Sequence, residues 1–218
     1  MNSPRIRLLF LVLLLPAVAA AQGTAEATAA KAETLSGAEA WAYSLTVDGY
    51  IVPSGQSYVD PVFTADHNWL HLEGRYNDEN LRTGSIWVGY NLSWGEKVVF
   101  EFTPMLGGVF GRTTGIAPGT EVSLTYKKLQ LSLSNEYVFE TGDKAGNFYD
   151  SSPQLTYSAL EWLNFGLAAQ HTKAFETKFM TQPGFFVGVS HKKLEFTTFI
   201  YDVGRADTSA VLEVGYSF

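Results

Sequence analysis

Leu212-Glu213-Val214-Gly215-Tyr216-Ser217-Phe218, at the C-terminal end, sets a large apolar side chain at every second position and a small or acidic one between them. Successive side chains of a β-strand point to opposite faces, so a period of two describes a strand with one apolar and one polar face. The pattern recurs toward the N-terminus. Trp41, Tyr43, Leu45 and Val47 alternate with Ala42, Ser44, Thr46 and Asp48, and Ile86, Val88, Tyr90 and Leu92 with Ser85, Trp87, Gly89 and Asn91. Leu129, Leu131 and Leu133 alternate with Gln130, Ser132 and Ser134, and Leu163, Phe165 and Leu167 with Asn164, Gly166 and Ala168. Read along the chain, the alternation predicts about twelve strands, at roughly 40–52, 57–65, 69–76, 84–93, 97–106, 119–126, 129–139, 152–158, 163–172, 183–190, 194–202 and 208–218.

The connections alternate in length. Short ones fall at Asp66-His67-Asn68, Trp94-Gly95-Glu96, Lys127-Lys128, 159–162 and His191-Lys192-Lys193, and long polar ones at 77–83, 107–118, 140–151, 173–182 and 203–207. Short turns at one end, longer loops at the other and an even strand number predict an all-β fold, a transmembrane antiparallel up-and-down β-barrel of about twelve strands. Composition agrees. Of 218 residues 46% are hydrophobic and only 17% charged, with a mean hydropathy of zero. Yet after residue 21 no run approaches the ~18 apolar residues of a spanning helix. The charge of −7 argues against nucleic acid, whose phosphates need clustered Lys and Arg. With no cysteine, a disulfide scaffold and a lipidated cysteine are both excluded.

Residues 1–21 combine Arg5 and Arg7, the apolar run Leu8–Leu15 and small residues ending Ala19-Ala20-Ala21, the layout of a secretory signal peptide cleaved after Ala21. Residues 22–40, rich in Ala, Thr and Glu, read as a flexible periplasmic leader, with a short helical plug as the other reading. The barrel then spans 41–218.

Alternation alone leaves open which face meets lipid. Trp41, Trp69, Trp94 and Trp162, joined by Tyr126 and Phe218, fall at strand ends on the short-turn side. Such rings settle at a headgroup boundary, so this placement favours a membrane girdle. A second girdle is expected at the opposite ends, around Tyr50, Tyr76, Phe110, Phe139, Phe148, Tyr149, Phe175 and Phe179. The final strand, ending on Phe218, resembles the β-signal of bacterial outer-membrane proteins, and with the signal peptide it makes the chain similar to a small porin-like outer-membrane β-barrel. The resemblance implies export through the inner membrane to a Gram-negative outer membrane. The partners it implies are outer-membrane lipids and the assembly machinery, the latter through the strand ending in Phe218.

If the apolar set faces lipid, the other set lines the interior. It includes Asp48, His71, Glu73, Arg75, Glu101, Glu121, Gln130, Glu136, Gln154, Asn164, Gln170, Glu195 and Glu213. The expected pore-lining residues are Glu73, Arg75, Glu101, Glu136, Glu195, Glu213 and Trp87, the last filling space in preference to forming a stacking platform or a constriction. Counting from the turns, Glu73, Glu101 and Glu213 share a level near mid-membrane. Carboxylates lining a water-filled lumen favour cations, so the leading reading is a narrow passive pore for cations or small solutes. The alternatives are a non-conducting structural or surface-binding barrel, in which these residues pair around Arg75, and a lipid-modifying enzyme. The enzyme has little support. The residues two after His67, His71, His171 and His191 are Trp69, Glu73, Lys173 and Lys193, none a nucleophile, and no G-x-S-x-G element occurs. His67 and His71 lie ~13 Å apart by strand rise, too far for one metal. No catalytic residue, cofactor or metal is assigned. The glycine-rich connection 107–118 reads either as a loop folded inward or as an extension of two strands with a bulge at Gly107 and Gly108.

Overall fold

The computed structural model describes residues 40–53, 55–142, 146–174 and 180–218. The expected signal peptide and nearly all of the expected 22–40 leader lie outside the described residues, as do Phe175 and Phe179.

The described residues form β1 (Ala42–Ile51), β2 (Tyr58–His67), β3 (Leu70–Tyr76), β4 (Thr83–Tyr90), β5 (Leu92–Trp94), β6 (Val98–Gly111), β7 (Gly115–Tyr126), β8 (Leu129–Glu140), β9 (Phe148–Leu160), β10 (Leu163–Ala174), β11 (Met180–His191), β12 (Leu194–Tyr201) and β13 (Ser209–Ser217). Every neighbouring pair is antiparallel, and β1 pairs with β13. β4 and β5 act as one strand. Gly89 faces Met105 and Leu92 faces Phe102, so one register runs through Asn91 along β6. The sheet therefore closes into a barrel of twelve strands, and closure leaves no unpaired edge.

The faces follow the alternation. Leu167, Ile86, Leu131, Phe196 and Leu212 stand exposed on the outside, while Trp87, His71, Ser85 and Val138 are fully buried inside. So broad an apolar exterior is unusual for a protein in water and suits contact with acyl chains. Trp69, Trp94, Trp162, Tyr126 and Phe218 sit on this outer face near the short turns, with Trp69 stacked on Tyr90 at 5.2 Å and Trp94 on Phe100 at 5.7 Å.

Turns, prolines and one register shift mark the ladder locally. Asn68, Lys127 and Lys192 open the tight turns with positive φ (53°, 53° and 56°), the left-handed backbone that two-residue hairpins require. Pairing between β7 and β8 pauses around Pro118, and between β9 and β10 around Pro153, because a proline nitrogen has no hydrogen to donate. Register shifts once between β9 and β10, at Leu163/Asn164.

The 107–118 connection is not a loop. β6 runs to Gly111 and β7 starts at Gly115, with unbroken pairing from Val98↔Tyr126 to Val109↔Gly115, so neither an inward fold nor a bulge at Gly107 and Gly108 exists. Only the first of these glycines is required by space. A Cβ on Gly107 would lie 2.5 Å from the Trp87 indole, whereas Gly108 faces outward with nothing within 4 Å.

Candidate functional site: an acidic lumen around Arg75

Inside the barrel, β3 presents His71, Glu73 and Arg75 on one face, spaced by two. His71 Nδ1 lies 2.8 Å from Asp66 Oδ1, and His71 Nε2 lies 2.8 Å from Glu73 Oε1. Arg75 Nε donates to Glu73 Oε2 at 2.6 Å, and its NH1 donates to Asp78 Oδ2 at 2.8 Å and to Glu136 Oε2 at 3.0 Å. The guanidinium also lies over the Trp87 ring, 4.5 Å from its centroid. Downward the chain continues from Asp66 to Asn91 Nδ2 at 2.6 Å, and from Asn91 Oδ1 to Thr103 Oγ1 at 2.8 Å. A buried cation needs this many acceptors, since each unpaired charge in the interior costs several kcal/mol. Both His71 ring nitrogens face carboxylates, so neither faces a hydroxyl that the ring could activate.

Ladder arithmetic fixes heights in the lumen. The rung through Glu136 passes Gly119, Met105 and Gly89 and meets β3 at His71. Arg75, which bonds Glu136, stands 75 − 71 = 4 residues further along β3, after four steps between neighbouring strands. Lateral contact thus climbs about one residue per strand, the offset expected of tilted strands. On this offset Glu73 and Glu213 share a height, since the rung of Glu213 passes through Asp48 and Asp60. Glu101, opposite Ser93, stands about four residues lower, roughly 13 Å along a strand. The expected three-carboxylate level is therefore not formed. What stands at the height of Arg75 instead is a wider acidic belt of Asp48, Asp60, Glu136 and Asp150, the last facing Glu136 on β9.

The other expected lining residues also face inward. Glu101 Oε2 accepts from Ser123 Oγ at 2.6 Å, and Glu195 Oε1 accepts from Asn164 Nδ2 at 3.0 Å. Glu101, Glu121, Ser123, Gln130, Ser132 and Gln154 line a cavity of about 400 Å³ in the short-turn half. The loop half is more filled. Trp87, Met105, Val109, Ala117 and Val138 pack together on one side, and Ala168, Phe186, Phe199, Tyr201 and Val211 on the other. Trp87 is wholly buried, its Nε1 donating to Ser85 Oγ at 2.9 Å and Glu79 Oε1 at 3.2 Å.

Sequence reasoning missed Asp60, Asp66, Asp78, Glu79 and Asp150. Asp60 shares its face with Thr64, and that parity could have found it. The sequence spacing places Asp66 in a turn and Asp150 in a loop, whereas β2 runs to His67 and β9 starts at Phe148. Asp78 and Glu79 lie in the aperiodic connection between β3 and β4. Burial, reinforced by the charge of Asp78, pushes the Glu79 carboxyl above its ordinary value.

Among solved structures, the KdgM porin matches with a TM-score of 0.57 and 15% identity, covering 80% of this chain and 99% of that one. The chain has the fold of a porin-like outer-membrane β-barrel. The NanC porin matches with a TM-score of 0.55 and 14% identity, over 80% of this chain and 98% of that one. A second KdgM structure, described as a complex with disordered oligogalacturonate, matches with a TM-score of 0.57 and 13% identity, over 80% and 99% of the two chains. No protein-family model and no curated protein sequence matches. At these identities the likeness speaks for the fold, and the porin-like barrel's chemistry has to be read from its own lumen.

Proposed function

We propose that this chain is a narrow passive channel of a bacterial outer membrane, passing cations and small neutral solutes and disfavouring anions. One observation carries the reading. Asp48, Asp60, Glu73, Glu101, Glu121, Glu136, Asp150, Glu195 and Glu213 face the lumen, while Arg75 is the only Arg or Lys to do so among the strand residues whose side chains are described. Carboxylates along a narrow aqueous path between low-dielectric walls concentrate cations and repel anions. Oligogalacturonate, the ligand of the KdgM complex, is a polyanion, and this acidic lumen opposes such a solute. Any common transport role would stop at the passage of small solutes.

The test is single-channel recording of the purified chain in a planar bilayer under a salt gradient. A reversal potential of the sign set by cation flow is expected, and anion selectivity would sink the proposal. A second reading, a barrel that does not conduct, is favoured by the filled loop half and by the Arg75 bridge to Glu136. Conductance no greater than that of the bare bilayer would select it.

A further inference from the structure

We infer that Asp78, Glu79 and Glu136, at the loop end of the lumen, form a binding site for a calcium-sized divalent cation that ties the 77–82 connection to β8. Each offers one carboxylate oxygen, and the three oxygens lie within 4.8 Å of one another. Oxygens on opposite sides of a calcium ion stand about twice 2.4 Å apart, so one ion can reach all three. Arg75 draws Asp78 and Glu136 together, but Glu79 makes no ion pair with it.

Arg75 compensates this group only in part. It binds Asp78 Oδ2 and Glu136 Oε2, and it is shared with Glu73. Its bonds to Asp78 and Glu136 occupy one oxygen of each, Oδ2 and Oε2.

The second observation is an orphaned oxygen. Glu79 is 7% exposed, and its Oε1 is held by the Trp87 indole N–H. Its Oε2 is buried and has no hydrogen-bond partner. Buried carboxylate oxygens are rarely left unsatisfied, and one fixed in place by a tryptophan beside two further carboxylates is suited to a metal ion. Asp60, 3% exposed and hydrogen-bonded through its side chain to Asp78, also carries a buried oxygen without a partner. An all-oxygen, carboxylate-rich set with one member on a connecting loop suits calcium, which accepts six to eight oxygens in adaptable geometry. Magnesium demands a tighter octahedron.

The proposal does not depend on conduction and is tested without it. The full chain in detergent micelles is titrated calorimetrically with calcium chloride alone. One ion per chain is expected, with a dissociation constant of ~0.1–1 mM, the range of extracellular calcium modules. Asp78→Asn, at an exposed position that the barrel tolerates, and Glu79→Gln are each expected to weaken binding about 10-fold or more, while Glu96→Gln at the far turn leaves it unchanged. Heat-modifiable gel migration reports whether each variant is folded. Wild-type protein that takes up no calcium overturns the proposal, and so does calcium uptake in folded Asp78→Asn equal to that of wild type.

Discussion

Arg75 on β3 donates to Glu136 on β8 at 3.0 Å, joining residues 61 apart in sequence and four strands apart around the wall. The contact crosses the lumen, so one side chain both neutralises part of the acidic belt and narrows the passage beside Trp87. Removing it leaves Glu73 and Glu136 buried without their cation. Arg75→Met is expected to destabilise the folded barrel by about 3 kcal/mol or more, because breaking a buried pair from one side strands the other charge. Urea titration of the protein in lipid vesicles, followed by tryptophan fluorescence, measures this. A loss below about 1 kcal/mol would place the guanidinium in water rather than in a buried network.

Trp87 and Gly107 make a matched pair across β4 and β6. A methyl on Gly107 would drive into the indole, so Gly107→Ala is expected to cost about 1–3 kcal/mol, while Gly108→Ala on the outer face stays within about 0.5 kcal/mol. The pair is coupled. In a Trp87→Ala background the Gly107→Ala penalty should largely vanish, and equal penalties in both backgrounds would rule out the contact. Trp87→Ala alone should also raise single-channel conductance by emptying the loop half of the lumen.

How much of this could be read from the sequence divides along physical lines. Period-two alternation reports a local property, which face each side chain takes, and so the strands, their number and the inward set from Asp48 to Glu213 were legible. Strand tilt is not local. Counting from turns put Glu101 level with Glu73, and only closure of the ladder reveals the offset of one residue per strand that separates them. The overrun of β6 and β7 into 107–118 is hidden because Gly107 serves space around Trp87, while the turn itself falls at Gly111, whose φ is 122°. Asp78 and Glu79 belong to a connection without periodicity, where position comes from contacts such as the Glu79 bond to Trp87.

Ion preference should follow the carboxylates one at a time. Glu101→Gln and Glu213→Gln each keep the size of the side chain and remove a charge from different heights of the lumen. Each is expected to lower the cation-to-anion permeability ratio by about 2-fold, and the double variant by more, with little change in conductance. Reversal potentials under a salt gradient read this out. A ratio unmoved in the double variant would mean that ions do not pass along these walls.

Phe218 joins the two ends of the barrel. Its backbone N–H donates to Tyr43 O at 3.0 Å, and its ring lies 6.1 Å from Tyr43, 6.3 Å from Phe63 and 5.2 Å from Tyr216 on the outer face. Deleting Phe218 removes a rung of the closing β1–β13 seam and one ring of the short-turn girdle, together with the terminal residue of the strand that resembles a β-signal. Two effects are expected and can be separated. Refolding into detergent tests the seam, where losing one hydrogen bond and one partly exposed ring should cost only about 1–2 kcal/mol. The amount reaching the outer membrane in cells tests recognition, and there the fall should be much larger than the stability loss explains. Phe218→Trp, which keeps an aromatic body at the headgroup boundary, should restore stability in detergent. If it also restores outer-membrane levels fully, packing at the seam accounts for the defect; if it does not, the terminal phenylalanine is being read by the machinery that inserts the barrel.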